Sequence, residues 1–495
     1  MGTLGFSRGK RLNLKEGKVN YLLFAGITET ATKFVDIGND IVWNKVLIFL
    51  LPIVGLFFTI YLAFPQFSRM GAAFKQTFSG LFDKEENARR KAAGEISSFQ
   101  ALAVAIAAQI GTGNVAGVAT AILSGGPGAI FWMWIAAIFG MGTIFAEAVL
   151  AQKFRTLDDD GERVGGPAYY ISQGIKNKGL AKGLAGFFAF AIILALGFIG
   201  NMVQSNSMAS AIHEAFGIPT LAIGIAIAIL AALVFIGGIK RIANFAEMVV
   251  PIMALIYVAL AIFVLIKFRM EIGHAFKLIF EGAFNPQAVL GAGTGITVKL
   301  VIRFGVARGL FSNEAGMGST PHAHATARVN HPVEQGLTAM LGVLIDTGIV
   351  CTATALVIIL TGAYDSGLAG PLMTQEAFGV AFPGAGKAVL AVCLTAFAFT
   401  TVIGWYYFGE TNIRYLFGKK GLMPYRLIVI ACIVLGSMFE IEFVWLLSDF
   451  FNGLMVFPNL VGLLLLHKHV KSLTKDYDRL KELGKISYVY EYETK

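Results

Sequence analysis

Charge is what this sequence has least of. Of 495 residues only 14% are Asp, Glu, Lys or Arg, while 56% are hydrophobic and the mean hydropathy is +0.69. Soluble domains carry roughly 25% charged residues, so a surface wetted on all sides is excluded. Cysteine is scarce too. Cys351, Cys393 and Cys432 lie inside apolar stretches, at no spacing that reads as a metal or redox motif, which makes them plain core residues. No convincing signal-peptide cleavage pattern is present, and a basic tail precedes a full apolar run. The net charge of +9 raises the question of a nucleic-acid partner. Its placement argues for loops at a membrane face and no nucleic acid.

What is abundant is apolar sequence in runs of roughly 20 residues, enough to cross a bilayer. They fall at 42–64, 97–123, 127–152, 187–216, 219–239, 243–267, 286–315, 333–361, 388–412, 424–439 and 443–467. These ranges describe an all-α polytopic membrane protein with about eleven spans. The 57 glycines suit helices that approach closely in lipid. The polar stretches 65–96 and 153–186 are too short to be domains. Residues 20–41, with Glu29, Lys33, Asp36 and Asp40, suit an amphipathic helix lying on the membrane surface.

Lys and Arg gather in alternate loops: around Lys75 and Arg89, Lys153 and Lys182, Lys240, Arg328, Arg414 and Lys419, and Lys468 and Lys475. With helices alternating from 97 onward, these loops share one side, which the positive-inside rule makes cytoplasmic. The facing loops at 124–127, 364–383 and around Glu440 are poor in them; 268–285, with Arg269 and Lys277, is the exception. An odd number of spans then leaves the basic N-terminal tail outside, against the rule.

Two spans contain interruptions. Inside the first lies Gln109-Ile-Gly-Thr-Gly-Asn-Val-Ala-Gly117. Unpaired backbone groups cost several kcal/mol each in hydrocarbon, so a break belongs where it lines a cavity or binds something. Amides at the start of the second half-helix suit a carboxylate, and freed carbonyls suit a cation. Tight packing through Gly113 and Gly117 is the plainer reading, but it leaves Thr112 and Asn114 unexplained. The second interruption runs from Arg303 to Pro321, with two arginines, Glu314 and four glycines. Arg303, Arg308 and Glu314 are costly against lipid and are expected to pair with each other or to cap the broken helix. Lys299 either snorkels to the surface or places an ammonium where a cation would bind. The matched pair of interruptions points to two five-helix halves, 97–267 and 286–467, after an N-terminal tail at 1–41 and an extra span at 42–64, with a tail at 468–495.

Ile110-Gly-Thr-Gly-Asn-Val-Ala-Gly-Val118, Gly165-Gly-Pro-Ala-Tyr-Tyr170, the run from Arg303 to Gly316, His331-Pro-Val-Glu-Gln-Gly336 and Ile345-Asp-Thr347 together resemble the alanine/glycine:cation symporter family, over roughly 40–470. The resemblance implies a leucine-transporter-type fold, an extra first helix followed by a 5+5 inverted repeat with two broken helices. It implies uptake of alanine and glycine across the cell (inner) membrane, with sodium as the coupling ion and with no cofactor. It places the substrate on Thr112, Gly113, Asn114, Gln204, Phe304, Gly305 and Trp405. The sodium ion falls to the carbonyls of Ala107, Ile110 and Phe397 and the hydroxyls of Thr400 and Thr401, oxygen ligands that suit a hard cation. Threonines in membrane helices also bond their own i−4 carbonyl. Asn201, Gln204, Ser205 and Asn206 can serve a substrate or join helices. A ring at Trp405 would leave room for a methyl group or less; an interfacial belt is the competing role, and it is the one expected for Trp43, Trp132 and Trp445.

Three rival functions remain in view. A proton-coupled or ion-independent transporter would share the fold. A membrane enzyme would need a metal cluster from Glu314, His322, His324 and His331, which lack HExxH spacing. A passive channel would need no pocket.

Overall fold

The computed structural model describes residues 32–79, 95–235, 237–287, 295–439 and 441–490. Apart from a hairpin pairing Thr156–Leu157 with Arg163–Val164, its regular structure is helical. Helix α1 spans Thr32–Tyr61. Helix α2, Ser98–Gln109, starts at a complete capping box: the Ser97 hydroxyl accepts the Gln100 N–H at 3.1 Å, and the Gln100 side chain accepts the Ser97 N–H at 3.0 Å. Helix α3, Gly113–Gly125, continues α2 at an angle of 50°. There follow α4 (Ala129–Lys153), α5 (Lys178–Phe216), α6 (Thr220–Phe235), α7 (Gly238–Lys267) and α8 (Ile272–Phe284). The second half holds α9 (Val298–Asn313), α10 (Pro321–Thr326), α11 (Pro332–Leu360), α12 (Gly386–Phe417), α13 (Leu422–Gly436) and α14 (Ile441–Glu482).

Among the described residues, seven helical stretches are long and apolar enough to cross a membrane, or eight with α2 and α3 taken as one bent span; α12 and α13 count there as a single stretch. Burial separates their roles. Helix α7 turns Met248, Ile252, Leu255, Ile262 and Ile266 outward, an apolar exterior that lipid accepts and water does not. Every residue from 101 to 119 is buried, so the bend lies inside the bundle, out of reach of lipid.

Three of the basic loops meet. Arg414 meets Asp158 at 3.2 Å and Asp160 at 3.0 Å, Lys419 meets Asp160 at 2.6 Å, and Lys240 meets Glu162 at 3.5 Å. The Lys419 and Arg414 side chains hold the exposed Asp160 carboxyl below the usual carboxylate range.

Several expectations need correction. No boundary separates a surface helix from a first span at 41/42, because α1 runs unbroken through it; residues 20–31 lie outside the described residues. Trp43 and Trp445 are buried at 5% and 8% exposure and so form no belt. The Trp43 indole instead donates to the Asp449 carbonyl at 2.9 Å. Arg308 does not pair with Glu314. It forms a two-point bridge to Asp449 at 2.7 and 2.6 Å, under the Trp445 ring, while Arg303 lies over Phe304. Lys299 is exposed in the first turn of α9, which fits the snorkelling role.

Removing one partner of a buried ion pair leaves an uncompensated charge. Arg308→Ala is therefore expected to cost about 3 kcal/mol and to lower the thermal transition of the detergent-solubilised protein. Arg308→Ala with Asp449→Ala should recover part of that loss; equal loss in both would mean that the unpaired Asp449 charge is not its source.

Candidate functional site

The bend between α2 and α3 has a local cause. Ile110 takes an extended conformation, ψ 91°, after its N–H closes the last α-helical turn on the Ile106 carbonyl at 2.7 Å. In a continuous helix the next two N–H groups would bond the carbonyls of Ala107 and Ala108. Here the Gly111 N–H goes to the Asn114 side-chain oxygen at 2.9 Å, and the Thr112 N–H goes to Gln204 Oε1 at 3.1 Å. The carbonyls are thereby released from the ladder. Glycine at 111 is sterically required, since a Cβ there would collide with the Thr401 hydroxyl and come within 3.1 Å of Gln204 Oε1.

The freed carbonyls meet α12. The Thr401 hydroxyl lies 3.0 Å from the Ala107 carbonyl, 3.3 Å from that of Ile110 and 3.1 Å from that of Phe397, its own i−4 residue. The Thr400 hydroxyl lies 2.8 Å from the Phe397 carbonyl. A hydroxyl has one proton to give, so it satisfies one carbonyl at a time. Four of the five oxygens expected to hold an ion, those of Ala107, Ile110, Phe397 and Thr401, are thus gathered at one crossing of α2 and α12, while the Thr400 hydroxyl bonds within α12 and lies 3.7 Å from Met253 Sδ of α7. The i−4 contact is real, but it accounts for only one of the three carbonyls around Thr401.

The second interruption follows Asn313. Glu314 adopts a left-handed conformation at φ 59°, Gly316 and Gly318 also have positive φ, and the chain turns into α10. The two breaks touch. Gln109 Nε2 donates to the Asn313 carbonyl at 2.6 Å, and a Cβ on Gly113 would stand 3.0 Å from Ser312 Cα. Beside them sits a buried carboxylate, Asp346 of α11. It accepts from Asn114 Nδ2 at 2.6 Å, Ser312 Oγ at 2.9 Å and Thr347 Oγ1 at 2.7 Å. Among the described residues no Lys, Arg or His bonds it. Widened π-helical turns border the site at Gly113–Gly117, Ile193–Gly200 and Leu344–Cys351, the kind of local irregularity that frequents functional sites.

Thr112, Gly113, Asn114 and Gln204 therefore come together. Trp405, one turn along α12 from Thr401, is 1% exposed, and its indole donates to Glu314 Oε1 at 2.5 Å. That burial removes the belt reading for it. Phe304 and Gly305 are not brought there. They lie in unbroken α9, two turns before its end, where a Cβ on Gly305 would stand 2.8 Å from Trp132 Cβ and strike the Ala129 carbonyl. Gly305 serves the packing of α9 on α4. Of the neighbouring polar residues, Ser205 and Asn206 bond carbonyls of Ile433, Gly436 and Phe439, and Asn201 bonds Gly197 of its own helix. They join helices; Gln204 alone of this group bonds the first break.

The histidines do not assemble into a metal centre among the described residues. His322 Nδ1 bonds the Ser319 carbonyl at 2.6 Å, and its Nε2 accepts from Asn412 at 2.8 Å, while His324 bonds Gln335. Sequence reasoning missed Asp346, Ser312 and a second buried acid, Glu147, which accepts the Asn459 amide at 2.5 Å and the Gly316 N–H at 3.2 Å. The signal was present: an acidic residue inside an apolar span is a site hypothesis by default.

A bent span at the centre of a helical bundle, its loosened backbone facing an oxygen cluster and a buried acid, defines a membrane transporter rather than an enzyme. Solved structures agree on the fold. The chain aligns with MhsT in complex with L-phenylalanine at TM-score 0.54 and 14% identity, covering 77% of this chain and 98% of that one. It aligns with the Eremococcus coleocola manganese transporter at TM-score 0.51 and 15% identity, covering 78% and 82%. Residues 28–491 match the sodium:alanine symporter family, and the chain belongs to that family. It is 43% identical over 455 residues to the sodium/alanine symporter AgcS of Methanococcus maripaludis, covering 90% of this chain and 97% of that protein. It is 41% identical over 459 residues to the probable sodium/glutamine symporter GlnT of Bacillus subtilis, with 92% of each covered.

Gly111→Ala should insert normally and reduce amino-acid uptake by about a hundredfold, the penalty of a displacement near 1 Å at a binding centre. Uptake by vesicles matched for protein content checks this; near-normal uptake would show that the break tolerates a Cβ.

Proposed function

We propose that this protein is a sodium-coupled symporter that takes up small neutral amino acids, alanine and glycine, by alternating access. The observation that carries the reading is the Thr401 hydroxyl set among the carbonyls of Ala107, Ile110 and Phe397. When sodium binds, these three carbonyls with the hydroxyls of Thr400 and Thr401 turn to it, an all-oxygen shell fitting a hard cation. The substrate carboxylate takes the amides of Thr112 and Gly113, displacing the Gln204 oxygen from Thr112. Asp346, with Asn114 beside it, supplies the negative charge facing the substrate ammonium. Zwitterion and ion meet at the break because backbone amides and carbonyls are both free there.

In this reading eleven helices cross the membrane, α1 preceding two inverted halves that begin at α2 and at α9, and the basic end of the bundle is cytoplasmic. Sodium drives uptake only if it binds the outward-facing arrangement more tightly than the inward-facing one. A bond linking α2 to α12 across the two halves gives it that purchase. Trp405 closes the pocket under the substrate side chain; discrimination by size is worth roughly 1–3 kcal/mol per methylene.

The test is uptake of labelled alanine into proteoliposomes under a sodium, lithium or proton gradient in turn. Sodium alone should drive accumulation; accumulation driven by protons without sodium, or none above equilibration, would overturn the coupling. Thr401→Ala should raise the sodium concentration for half-maximal uptake by about tenfold or more, the loss of one ion-bound hydroxyl, with little change in amino-acid preference. Trp405→Ala should do the reverse. Normal ion response and normal preference in both would sink the site.

A further inference from the structure

The Trp405 ring is held from two sides. On one side its indole N–H reaches Glu314 Oε1 at 2.5 Å, and the other Glu314 oxygen is itself fixed by the Ser319 hydroxyl. On the other side the ring lies against Gly200 of α5. A Cβ there would stand 2.6 Å from ring atoms Cε3 and Cζ3 and 2.8 Å from the Ala195 carbonyl. The clash is with a ring already seated and with backbone, so nothing yields cheaply. Phe311 meets the ring edge-on with centroids 5.8 Å apart, and a Cβ on Gly113 would stand 3.2 Å from the same phenyl group. The ring is thus one aromatic layer from the first break. Gly200 lies one helical turn before Gln204, on the face of α5 that bonds Thr112.

Glu314 is also in the wrong backbone conformation for its type. At φ 59° glycine fits without steric cost and a glutamate does not. Such an outlier, fully buried and bonded through both oxygens, points from strain to use: the position needs the carboxylate, not the turn.

We propose that Glu314 and Gly200 are positioning residues that fix how far the Trp405 ring reaches toward the first break, and thereby set the largest side chain the transporter accepts. The inference rests on the pocket reading of Trp405. Glu314 holds the indole N–H, and Gly200 leaves the space beside α5 into which the ring settles. Added volume at 200 drives the ring off α5 and narrows the room above it. Loss of the carboxylate frees the ring to swing aside.

The experiment is competition among glycine, alanine, valine and leucine for uptake by proteoliposomes. Gly200→Ala should lower alanine uptake relative to glycine by about tenfold, the lower end of what one misplaced methyl group costs. Glu314→Ala should raise valine and leucine relative to glycine by a similar factor, and Glu314→Gln, which keeps an acceptor oxygen, should restore the original ratios. In a Trp405→Phe background, with no indole N–H to hold, Glu314→Ala should add no further change. A Glu314→Ala effect as large with phenylalanine at 405 as with tryptophan would overturn the proposal. So would an equal loss for all four substrates in both variants, the mark of general damage. Should Glu314→Ala fail to reach the membrane, the alanine-to-glycine ratio of Gly200→Ala decides alone. Unchanged size preference in Trp405→Ala would instead sink the pocket reading itself; altered preference there with unchanged ratios in Gly200→Ala and Glu314→Ala would sink only the positioning.

Discussion

Two peptide groups decide the architecture. The N–H groups of Gly111 and Thr112 leave the helical ladder for the side chains of Asn114 and Gln204, and in hydrocarbon such a departure survives only if every freed group finds another partner. Those partners come from different helices, so the break draws them around it. Gln204 comes from α5, Thr401 from α12 and Asp346 from α11, the last held through Asn114. The bundle is organised about the place where its most buried helix is least regular.

The second break follows a different logic. At the first, glycine allows close approach; at the second, Glu314 sits where glycine would be cheaper, and its side chain reaches Trp405 and Ser319. Glu147 braces the same turn from α4 through the Gly316 N–H and Asn459. Buried carboxylates bonded only by neutral donors are expensive. Three of them, Glu147, Glu314 and Asp346, sit around the two breaks with no cationic side chain bonded to them among the described residues. The arginine nearest in sequence, Arg308, is committed elsewhere, to Asp449. That pairing keeps a permanent cation out of the site.

Much of this was legible beforehand. The apolar runs located the helices because a bilayer imposes one length and one composition on whatever crosses it. The break at 110–113 was legible because glycines flanking polar residues at mid-span have few innocent explanations. Ala107, Ile110, Phe397 and Thr401 lie together where α2 crosses α12. The errors share a cause. Trp43 and Trp445 read as belt residues from their places near helix ends, but the neighbour that buries each one is distant in sequence. Phe304 and Gly305 were carried into the pocket because the second interruption extends over nineteen residues from Arg303 to Pro321, and composition could not say that the chain stays helical to Asn313.

Sequence alone therefore settled that the chain lives in a membrane, that its helices are interrupted, and which family it resembles. Each of these follows from local composition or from contiguous motifs. Only the tertiary structure decided which face of each helix meets which neighbour. It bonded Gln204 to the Thr112 N–H, withdrew Phe304, added Asp346 and set Trp405 between Gly200 and Glu314. The physical reason is distance along the chain. Propensity, hydropathy and motif act within a few turns, whereas the bonds that define the site join residues 92, 232 and 294 positions apart.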